Sequence, residues 1–433
     1  MRILYNLLVY LAAPIAFLTQ MLRSLGDPDY RQRRWQRFGL GEGLPDGSIW
    51  VHAVSVGEVQ ASAPLVRALL ERYPAHRLVL TTVTPTGAAR ARSLFGDAVT
   101  HRYLPFDLPG SVRRFFERIK PAIAIIMETE LWPNLLAECN RRGIPLLMAS
   151  ARISPRSVRR YRRLRSLFGE LLSNGVVIAA QSEADAQRFL SIGAKPSRTH
   201  VTGNIKFDIV LDPDVCRQGG AWRETQARGR PTWVAGSTHE GEEGLVLDAH
   251  AKVCAEHAGA LLVLVPRHPN RFAEVAALLD QRGVSWVSRS SGKAVRPETG
   301  VVLGDTMGEL MMFYAAADVA FVAGSLVPVG GHNLLEPAAV GASVVTGPHN
   351  FNGEETYRKL VEAGVAMTVA DADGLSAAVA GLLADAPRRR ELGARGRRVV
   401  EENRGALERL LALVVPVLGS GAGKHAGLTA GTR

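Results

Sequence analysis

The most informative segment of the chain is Val322-Ala-Gly-Ser-Leu-Val-Pro-Val-Gly-Gly-His-Asn-Leu-Leu-Glu-Pro-Ala-Ala-Val-Gly341. Its pattern predicts a buried strand up to Val322, a turn at Gly330-Gly331 and a helix that begins near Asn333. Glycines at such a turn let backbone N–H groups approach an anion, and a helix N-terminus favours negative charge. In doubly wound sheets, ligands bind outside the carboxyl ends of strands at turns of this kind. The stretch therefore predicts a nucleotide-phosphate site with Glu336 available for a ribose, or else only a capping box in which Asn333 pairs with Glu336.

Composition indicates an ordinary globular protein with an anionic partner. The 433 residues suffice for about two domains, and 47% of them are hydrophobic while 21% are charged. A net charge of +11 favours nucleic acid, anionic lipid or a phosphorylated substrate as partner. Cys139, Cys216 and Cys254 lie far apart, without metal-ligand spacing, so we expect reduced thiols and no metal site.

The N-terminal segment is almost uniformly apolar between Ile3 and Leu22. At about 1.5 Å rise per residue, a helix of this length barely spans a hydrocarbon core of roughly 30 Å. Several arginines follow it, which places the following body in the cytoplasm by the positive-inside bias. We interpret residues 1–24 as a membrane anchor, either single-pass or interfacial, with a buried helix as the alternative.

From Ser48 onward, short apolar strands alternate with amphipathic helices, which predicts parallel sheets built from βαβ units. The alternation weakens between Asn204 and Pro231, which we interpret as a domain linker, and resumes at Trp233. The predicted domains are residues 25–210 and 211–419. Helices near Asp373-Leu383 and Pro387-Leu413 are expected to close the second domain, and residues 420–433 to form a disordered tail.

Two runs in the first domain carry carboxylates at predicted strand ends. In His52-Ala-Val-Ser-Val-Gly-Glu58, the carboxylate of Glu58 follows a strand and a glycine turn, so it is a candidate general base or merely complements its own helix dipole. In Met127-Glu-Thr-Glu-Leu-Trp-Pro-Asn134, Glu128 and Glu130 follow a very apolar strand. A buried carboxylate there needs a partner, and either Arg152 or Lys206 could supply it; a solvated loop is the alternative.

A helix predicted over Pro155-Leu172 carries Arg156, Arg159, Arg160 and Arg163 on one face. Val158, Tyr161, Leu164 and Phe168 lie on another. A basic amphipathic helix of this kind suits an anionic membrane surface or a phosphorylated lipid. A solvated charged face is the alternative, and nucleic acid is disfavoured because no aromatic interleaving or known motif accompanies the arginines.

Further polar turns in the second domain follow strands or precede helices. They are Gly236-Ser-Thr-His-Glu240, Pro266-Arg-His-Pro-Asn-Arg271 and Asp305-Thr-Met-Gly-Glu309. Arg267 could hold a phosphate in bidentate fashion. Each turn alone is weak evidence, but with Gly330–Glu336 they place four phosphate-suited turns at one predicted sheet edge.

The chain resembles the 3-deoxy-D-manno-octulosonic acid (Kdo) transferases over nearly its whole length, to about Leu418. The runs that carry the resemblance are His52–Glu58, Met127–Asn134, Gly203-Asn-Ile-Lys-Phe-Asp208, Ser237-Thr-His-Glu-Gly-Glu-Glu243, Val265-Pro-Arg-His-Pro269, Gly304-Asp-Thr-Met-Gly-Glu-Leu310 and Gly330-Gly-His-Asn-Leu-Leu-Glu336. The resemblance implies an α/β GT-B fold with two Rossmann-like domains facing a cleft, without metal or cofactor. It also implies inverting transfer of Kdo from CMP-Kdo to a membrane-bound lipid A precursor of the lipid IVA type, in lipopolysaccharide inner-core synthesis at the cytoplasmic face of the inner membrane.

Roles follow from the resemblance position by position. Glu58 resembles the general base, and Glu128 and Lys206 resemble groups that support the transition state. The residues that resemble the CMP pocket are Pro266, Arg267, Met307, Gly308, Glu309, Asn333, Leu334, Leu335 and Glu336. Another GT-B sugar-nucleotide transferase or an epimerase shares the fold and remains the alternative, as does a membrane-tethered binding protein that has lost catalysis.

Overall fold

The computed structural model describes residues 2–26, 31, 33–209 and 211–419, with only the backbone described at positions 20, 23, 25 and 26. The chain divides into two compact units. The first contains Met1–Asp208 and resumes at Arg404, and the second is Ile209–Asn403. The tail predicted to be disordered, residues 420–433, lies outside the described residues.

The first unit is built on a seven-stranded sheet whose strands are all parallel and whose order is β3-β2-β1-β4-β5-β6-β7. Its strands are β1 (Ser48–His52), β2 (Leu78–Thr82), β3 (Thr100–Tyr103), β4 (Pro121–Met127), β5 (Leu146–Ala151), β6 (Val176–Ala180) and β7 (Thr199–Val201). Its helices are α1 (Arg2–Gly26), α2 (Val56–Arg72), α3 (Pro85–Phe95), α4 (Pro109–Ile119), α5 (Pro133–Arg142), α6 (Pro155–Arg163), α7 (Arg165–Ser173), α8 (Glu183–Ser191) and, after the second unit, α17 (Ala406–Leu418).

The second unit repeats this plan with a second parallel sheet, in the order β10-β11-β9-β8-β12-β13-β14. Its strands are β8 (Thr232–Thr238), β9 (Leu261–Pro266), β10 (Trp286–Ser288), β11 (Val301–Leu303), β12 (Val319–Val322), β13 (Ser343–Thr346) and β14 (Ala366–Thr368). Its helices are α9 (Val215–Trp222), α10 (Glu242–Glu256), α11 (Phe272–Gln281), α12 (Leu310–Ala316), α13 (Leu335–Val340), α14 (Glu354–Glu362), α15 (Ala372–Ala384) and α16 (Ala386–Glu402).

The central strands of both sheets are buried because helices cover both faces of a parallel sheet. In the first unit, Trp50 and Ile126 pack on one face with Phe116 and Leu172, while alternate residues pack on the other. Strand β4 is buried at all positions but one, which explains its continuous apolar run.

Three predictions made from the sequence are wrong. The helix predicted near Pro387-Leu413 is two helices separated at Gly405, where φ is +84°. The second of them, α17, packs its Leu410 and Val414 into the core of the first unit and does not close the second unit. The basic segment also breaks, between α6 and α7 at Leu164. The supposed linker contains α9, whose Trp222 is buried against Phe313 of α12.

Candidate active site

Glu58 lies in the first turn of α2, immediately beyond the carboxyl end of β1. The turn there is tight because the chain must pass from the buried strand directly into the helix. One carboxylate oxygen, Oε2, accepts the backbone N–H of Val54 at 2.8 Å. Its place in the first turn of α2 suits the positive end of that helix. The bond to Val54, which precedes the helix, fixes the side chain at the sheet edge where ligands bind in this class of fold.

The pKa of Glu58 is raised to about 7, chiefly by burial and also by the charges of Glu128 and Glu130, against the lowering effects of the Val54 N–H and the Lys206 charge. A carboxylate whose pKa lies near neutrality is suited to accept a proton from a substrate hydroxyl. His52, at the end of β1, is instead a structural residue. Its Nδ1 lies 2.9 Å from Thr81 Oγ1, and burial lowers the pKa of its ring to about 4.

Glu128 has both of the partners considered for it. Its Oε2 accepts a hydrogen bond from Arg152 Nε at 2.8 Å, and its Oε1 accepts one from Lys206 Nζ at 3.3 Å. The carboxylate side chain is 13% exposed, so the two cations compensate a largely desolvated charge. The solvated-loop alternative for Glu128 is thereby excluded.

The backbone around Glu128, Arg152 and Lys206 is strained, and buried side chains hold it in place. Glu128 and Ser150 both have left-handed conformations, with φ of +54° and +48°, a state that costs non-glycine residues about 1–3 kcal/mol and clusters at functional sites. The segment that carries Lys206 is held by buried amides. Asn204 Nδ2 donates to Gln181 Oε1 at 3.1 Å, and Gln181 Nε2 donates to the Ser150 carbonyl at 2.8 Å.

Glu130 does not join the ion-paired group. Its Oε2 accepts the indole N–H of Trp132 at 2.6 Å. Burial raises its pKa, and the charge of Glu128 adds to that effect, while the Trp132 bond opposes it. Glu58, Glu128 and Glu130 therefore have three distinct environments at one edge of the sheet.

In the second unit, the strand ends bring several of the expected donor-site residues near one another. Pro266 ends β9, and the exposed Arg267 follows it; within the described part of the chain Arg267 has no ion-pair partner. The charge of Arg267 lowers the pKa of Glu336 and of His332, which places all three side chains in one electrostatic neighbourhood. A free guanidinium at a strand's carboxyl end is available for a phosphate.

The remaining residues of the expected donor site differ in their exposure and in their partners. Met307 is 66% exposed and Gly308 has a φ of +88°, which forms an open turn before α12. Glu309 forms an ion pair with Arg289 at 2.7 Å. Leu334 and Leu335 are buried, so they can offer a ligand only their backbone groups.

Asn333 and Glu336 pair through their side chains, but they do not form the capping box considered from the sequence, because the N-cap of α13 is Leu334 and its side chain makes no cap bond. Asn333 Nδ2 donates to Glu336 Oε1 at 3.2 Å, and Asn333 Oδ1 accepts the N–H of Leu335 at 3.1 Å. Burial raises the pKa of Glu336, whereas Asn333 and the Arg267 charge lower it. Glu336 is half-buried, so its pairing with the Asn333 side chain leaves room for a ligand contact at this position.

The sequence does not single out Glu242, although this residue lies within the run Ser237–Glu243. Its fully buried carboxylate accepts the N–H groups of Gly324 at 2.6 Å and of Ser325 and Leu326, both at 3.0 Å. These bonds fix the loop that follows β12, which also carries His332. The only sequence signal is a carboxylate at the start of a helix, which is too common to assign such a role.

The two surfaces predicted to meet a membrane lie on the first unit. Helix α1 presents an exposed apolar stripe: Leu4, Leu7, Leu8, Leu11, Ile15 and Leu18. Its opposite face contacts the unit, since Phe17 packs edge to face on Phe38 with ring centroids 5.5 Å apart. By length and composition alone, Arg2–Thr19 could cross a membrane. On α6, the four predicted arginines are exposed and Val158 is buried, as expected.

Comparison with known proteins decides the family. The family model described as 3-deoxy-D-manno-octulosonic-acid transferase (kdotransferase) matches residues 32–209. A 3-deoxy-D-manno-octulosonic acid transferase of Haemophilus influenzae is 43% identical over 421 residues, which are 96% of this chain and 99% of the relative. The Bordetella pertussis transferase of the same name is 40% identical over 373 residues, which are 84% of this chain and 86% of that relative. The chain belongs to the 3-deoxy-D-manno-octulosonic-acid transferase family.

Membership in the Kdo transferase family makes the chain a glycosyltransferase, and its fold is GT-B. MurG of Acinetobacter baumannii superposes with a TM-score of 0.54 at 11% identity, over 86% of this chain and all of that one. The UDP-GlcNAc 2-epimerase of Neisseria meningitidis superposes with a TM-score of 0.53 at 14% identity, over 85% of this chain and all of that one. At such identities these likenesses concern the fold alone. Among the described residues, no cluster of His, Cys, Asp and Glu could hold a metal ion.

Proposed function

We propose that this Kdo transferase moves Kdo from CMP-Kdo to a hydroxyl of a membrane-bound lipid A precursor, with inversion and with Glu58 as general base. The observation that carries the proposal is the placement of Glu58 at the sheet edge with a pKa of about 7, beside the Glu128–Lys206 pair. At neutral pH a substantial share of Glu58 is ionised and able to accept a proton.

The transfer is a single displacement. The acceptor oxygen forms a bond to the anomeric carbon of Kdo while its proton passes to the Glu58 carboxylate. The bond between that carbon and the CMP phosphate breaks, and its electron pair stays on the phosphate oxygen. In the proposed assignment, Lys206 and the Glu128 that orients it stabilise the charge that develops in the transition state.

The donor nucleotide is assigned to the second unit. Pro266, Arg267, Met307, Gly308, Glu309 and the segment Asn333–Glu336 form its expected pocket. Arg267 supports the phosphate contact because its guanidinium is exposed and free of an ion-pair partner in the described chain. Glu336 supports a ribose contact because its carboxylate is half-buried and pairs only weakly with Asn333, at 3.2 Å.

We further infer that the first unit rests on an anionic inner-membrane surface at the cytoplasmic face. The apolar stripe of α1 and the arginine face of α6 support this, because acyl chains and lipid phosphates match those two chemistries. The contact of α1 with its own unit favours a helix that lies along the membrane surface over one that spans the bilayer.

Product analysis tests the proposal. Purified protein is incubated with CMP-Kdo and a tetra-acylated, bisphosphorylated glucosamine disaccharide, and the lipids are examined by mass spectrometry. We expect the acceptor to gain Kdo and CMP to appear in equal amount. Release of CMP without a heavier lipid would refute the acceptor assignment. Turnover of UDP-GlcNAc in place of CMP-Kdo would support the alternative of another GT-B transferase or an epimerase.

A further inference from the structure

Two histidines that no part of the proposed mechanism uses form a pair in the second unit. His239 follows β8 and His332 lies in the glycine-rich turn after β12; their Nε2 atoms are 2.9 Å apart. The ring planes are within 7° of parallel and the centroids are 5.1 Å apart. Two rings with Nε2 atoms this close and centroids this far apart meet edge to edge, so they share a hydrogen bond rather than stack face to face.

The backbone at Gly324 and the buried Glu242 hold the two rings in place. Gly324 has a φ of +69°, and a Cβ at that position would lie 3.0 Å from two atoms of the His332 ring and 3.3 Å from His239. The loop at Gly324 is itself fixed by the buried carboxylate of Glu242. A residue larger than glycine would displace the rings, so the backbone is shaped to leave room for them.

The surroundings lower the pKa of both imidazoles, which favours the uncharged rings at neutral pH. The pKa of His332 is lowered to about 3, chiefly by burial and also by His239, Arg267 and His268. Burial also lowers the pKa of His239, aided by His268 and Arg267. In a neutral pair, one ring donates through Nε2–H and the other accepts through Nε2, so the accepting ring must carry its proton on Nδ1.

The Nδ1–H of that accepting ring is left to donate to a ligand. Neither Nδ1 atom has a hydrogen-bond partner among residues 211–419. Arg267 contributes a positive charge to the same neighbourhood, and its backbone N–H is fixed by the Thr238 carbonyl at 3.0 Å, one residue before His239. An N–H donor beside an unpaired guanidinium is a setting suited to a phosphate oxygen.

We propose that the His239–His332 pair donates a hydrogen bond from Nδ1–H to the phosphate of the donor nucleotide, beside Arg267. This inference rests on the proposed donor site in the second unit. As the bond between the anomeric carbon and the phosphate oxygen breaks, its electron pair remains on the phosphate, and the imidazole N–H stabilises that charge while keeping its proton. Neutral imidazoles serve as such electrophilic donors, and loss of one preorganised donor slows turnover by about 10²–10³-fold.

The test uses substitutions that separate the two ring nitrogens. Asn places an amide nitrogen near the position of Nδ1, whereas Gln reaches that of Nε2, so His239 and His332 are each replaced by Asn and by Gln. His257→Gln is the matched control, because His257 lies at the C-terminal end of α10 and its Nε2 is hydrogen-bonded to the Ala380 carbonyl of α15. The measurements are kcat, and calorimetric affinity for CMP and for cytidine, which lacks the phosphate.

We expect CMP affinity to fall about tenfold or more in the Gln variants, which corresponds to one lost charge-assisted bond, with cytidine affinity unchanged. At one of the two positions, Asn should restore part of both kcat and CMP affinity. A merely structural role would change cytidine and CMP binding alike. In the wild-type protein, ¹⁵N-labelled histidine should show a changed Nδ1 resonance on addition of CMP and no change with cytidine.

The outcomes distinguish this inference from the proposed function. The histidine role is wrong, and the donor site stands, if the wild-type protein binds CMP while the variants keep wild-type CMP affinity and turnover. The same conclusion follows if the Nδ1 resonances do not change when CMP binds. If the wild-type protein does not bind CMP at all, the donor site itself is misplaced, and the histidine role falls with it.

Discussion

The hydroxyl of Tyr5 donates a hydrogen bond to Oδ2 of Asp107 at 2.8 Å, across 102 positions in the chain. The same carboxylate, 6% exposed, accepts the N–H groups of Asn134 and Leu135, both at 2.9 Å, in the first turn of α5. Asp107 therefore caps the helix that follows the Glu128–Glu130 segment and also holds the N-terminal helix. The position of α1 is tied to the carboxylate-bearing edge of the first sheet.

We predict that Tyr5→Phe lowers the free energy of unfolding by about 1 kcal/mol, the net value of one hydrogen bond. Asp107→Ala should lower it by more, because two backbone N–H groups of α5 then lose their buried acceptor. Urea unfolding in detergent, followed by circular dichroism, measures both. Tyr10→Phe is the control, since Tyr10 is 54% exposed; an equal loss there would contradict the role of the Tyr5 bond.

Glu58→Gln should abolish most turnover without unfolding the protein. Gln keeps the size of Glu58 and much of its hydrogen bonding but cannot accept the acceptor proton, so kcat should fall by roughly 10²–10⁴-fold. CMP affinity should stay unchanged. Glu71→Gln, on the exposed far end of α2, is the matched control. A Glu58→Gln variant with near-wild-type kcat would direct the search for the base to Glu128 or Glu130.

The pKa of Glu58 predicts the acidic limb of the pH profile. Because the pKa is raised to about 7, the base becomes protonated as pH falls through 7, and kcat/KM should decline about tenfold per pH unit below that point. The raised pKa also means that this group favours the folded state below its unfolded pKa and loses that contribution as pH rises through about 7. The Tm of Glu58→Gln relative to wild type should therefore rise between pH 5 and pH 8.

Substitutions in the second unit should separate phosphate from ribose recognition. Arg267→Ala should weaken CMP binding by about 1.5–3 kcal/mol and leave cytidine binding intact. Glu336→Ala should weaken both ligands, because both carry the ribose. Isothermal titration calorimetry makes the comparison. Arg282→Ala is the control, because Arg282 lies at the C-terminal end of α11. Unchanged CMP affinity in both variants would reject this placement of the nucleotide.

The arginine face of α6 should contribute to membrane binding. The test variant carries Gln at Arg156, Arg159, Arg160 and Arg163. Near-surface cations contribute about 1 kcal/mol each, so vesicles with anionic lipid should bind this variant markedly more weakly than wild type at low salt, and wild-type binding should weaken at high salt. A control removes the same charge elsewhere, at the exposed Arg67, Arg228, Arg390 and Arg398. Equal vesicle binding by wild type and the α6 variant in sedimentation assays would leave α6 as a solvated face.

The local pattern of the sequence is enough to predict the two parallel sheets. Runs such as those of β4 and β9 are apolar throughout because both faces of a parallel sheet are covered. Short strands with a brief and partly exposed apolar run, such as β7 and β14, carry no such signal. The sequence also predicted one helix over Pro155-Leu172, whereas the structure breaks it at Leu164.

The sequence also placed Glu58, Glu128 and Arg267 at strand ends, but it left their partners open. A largely buried carboxylate at Glu128 needed a cation, and two candidates were equally compatible with the sequence. The sheet order decided the matter, since β4, β5, β6 and β7 are consecutive neighbours. Arg152 and Lys206 therefore both reach Glu128.

Only the tertiary structure assigned α17 to the first unit. The apolar face of α17 could cover either sheet, but the carboxylate of Asp208 accepts the N–H groups of Gly405, at 2.6 Å, and of Leu407. The histidine pair has the same origin, because β8 and β12 are adjacent strands although 93 residues separate His239 from His332. Periodicity in a sequence records which face of an element is buried, whereas strand order and helix docking depend on packing between distant segments, which no local pattern encodes.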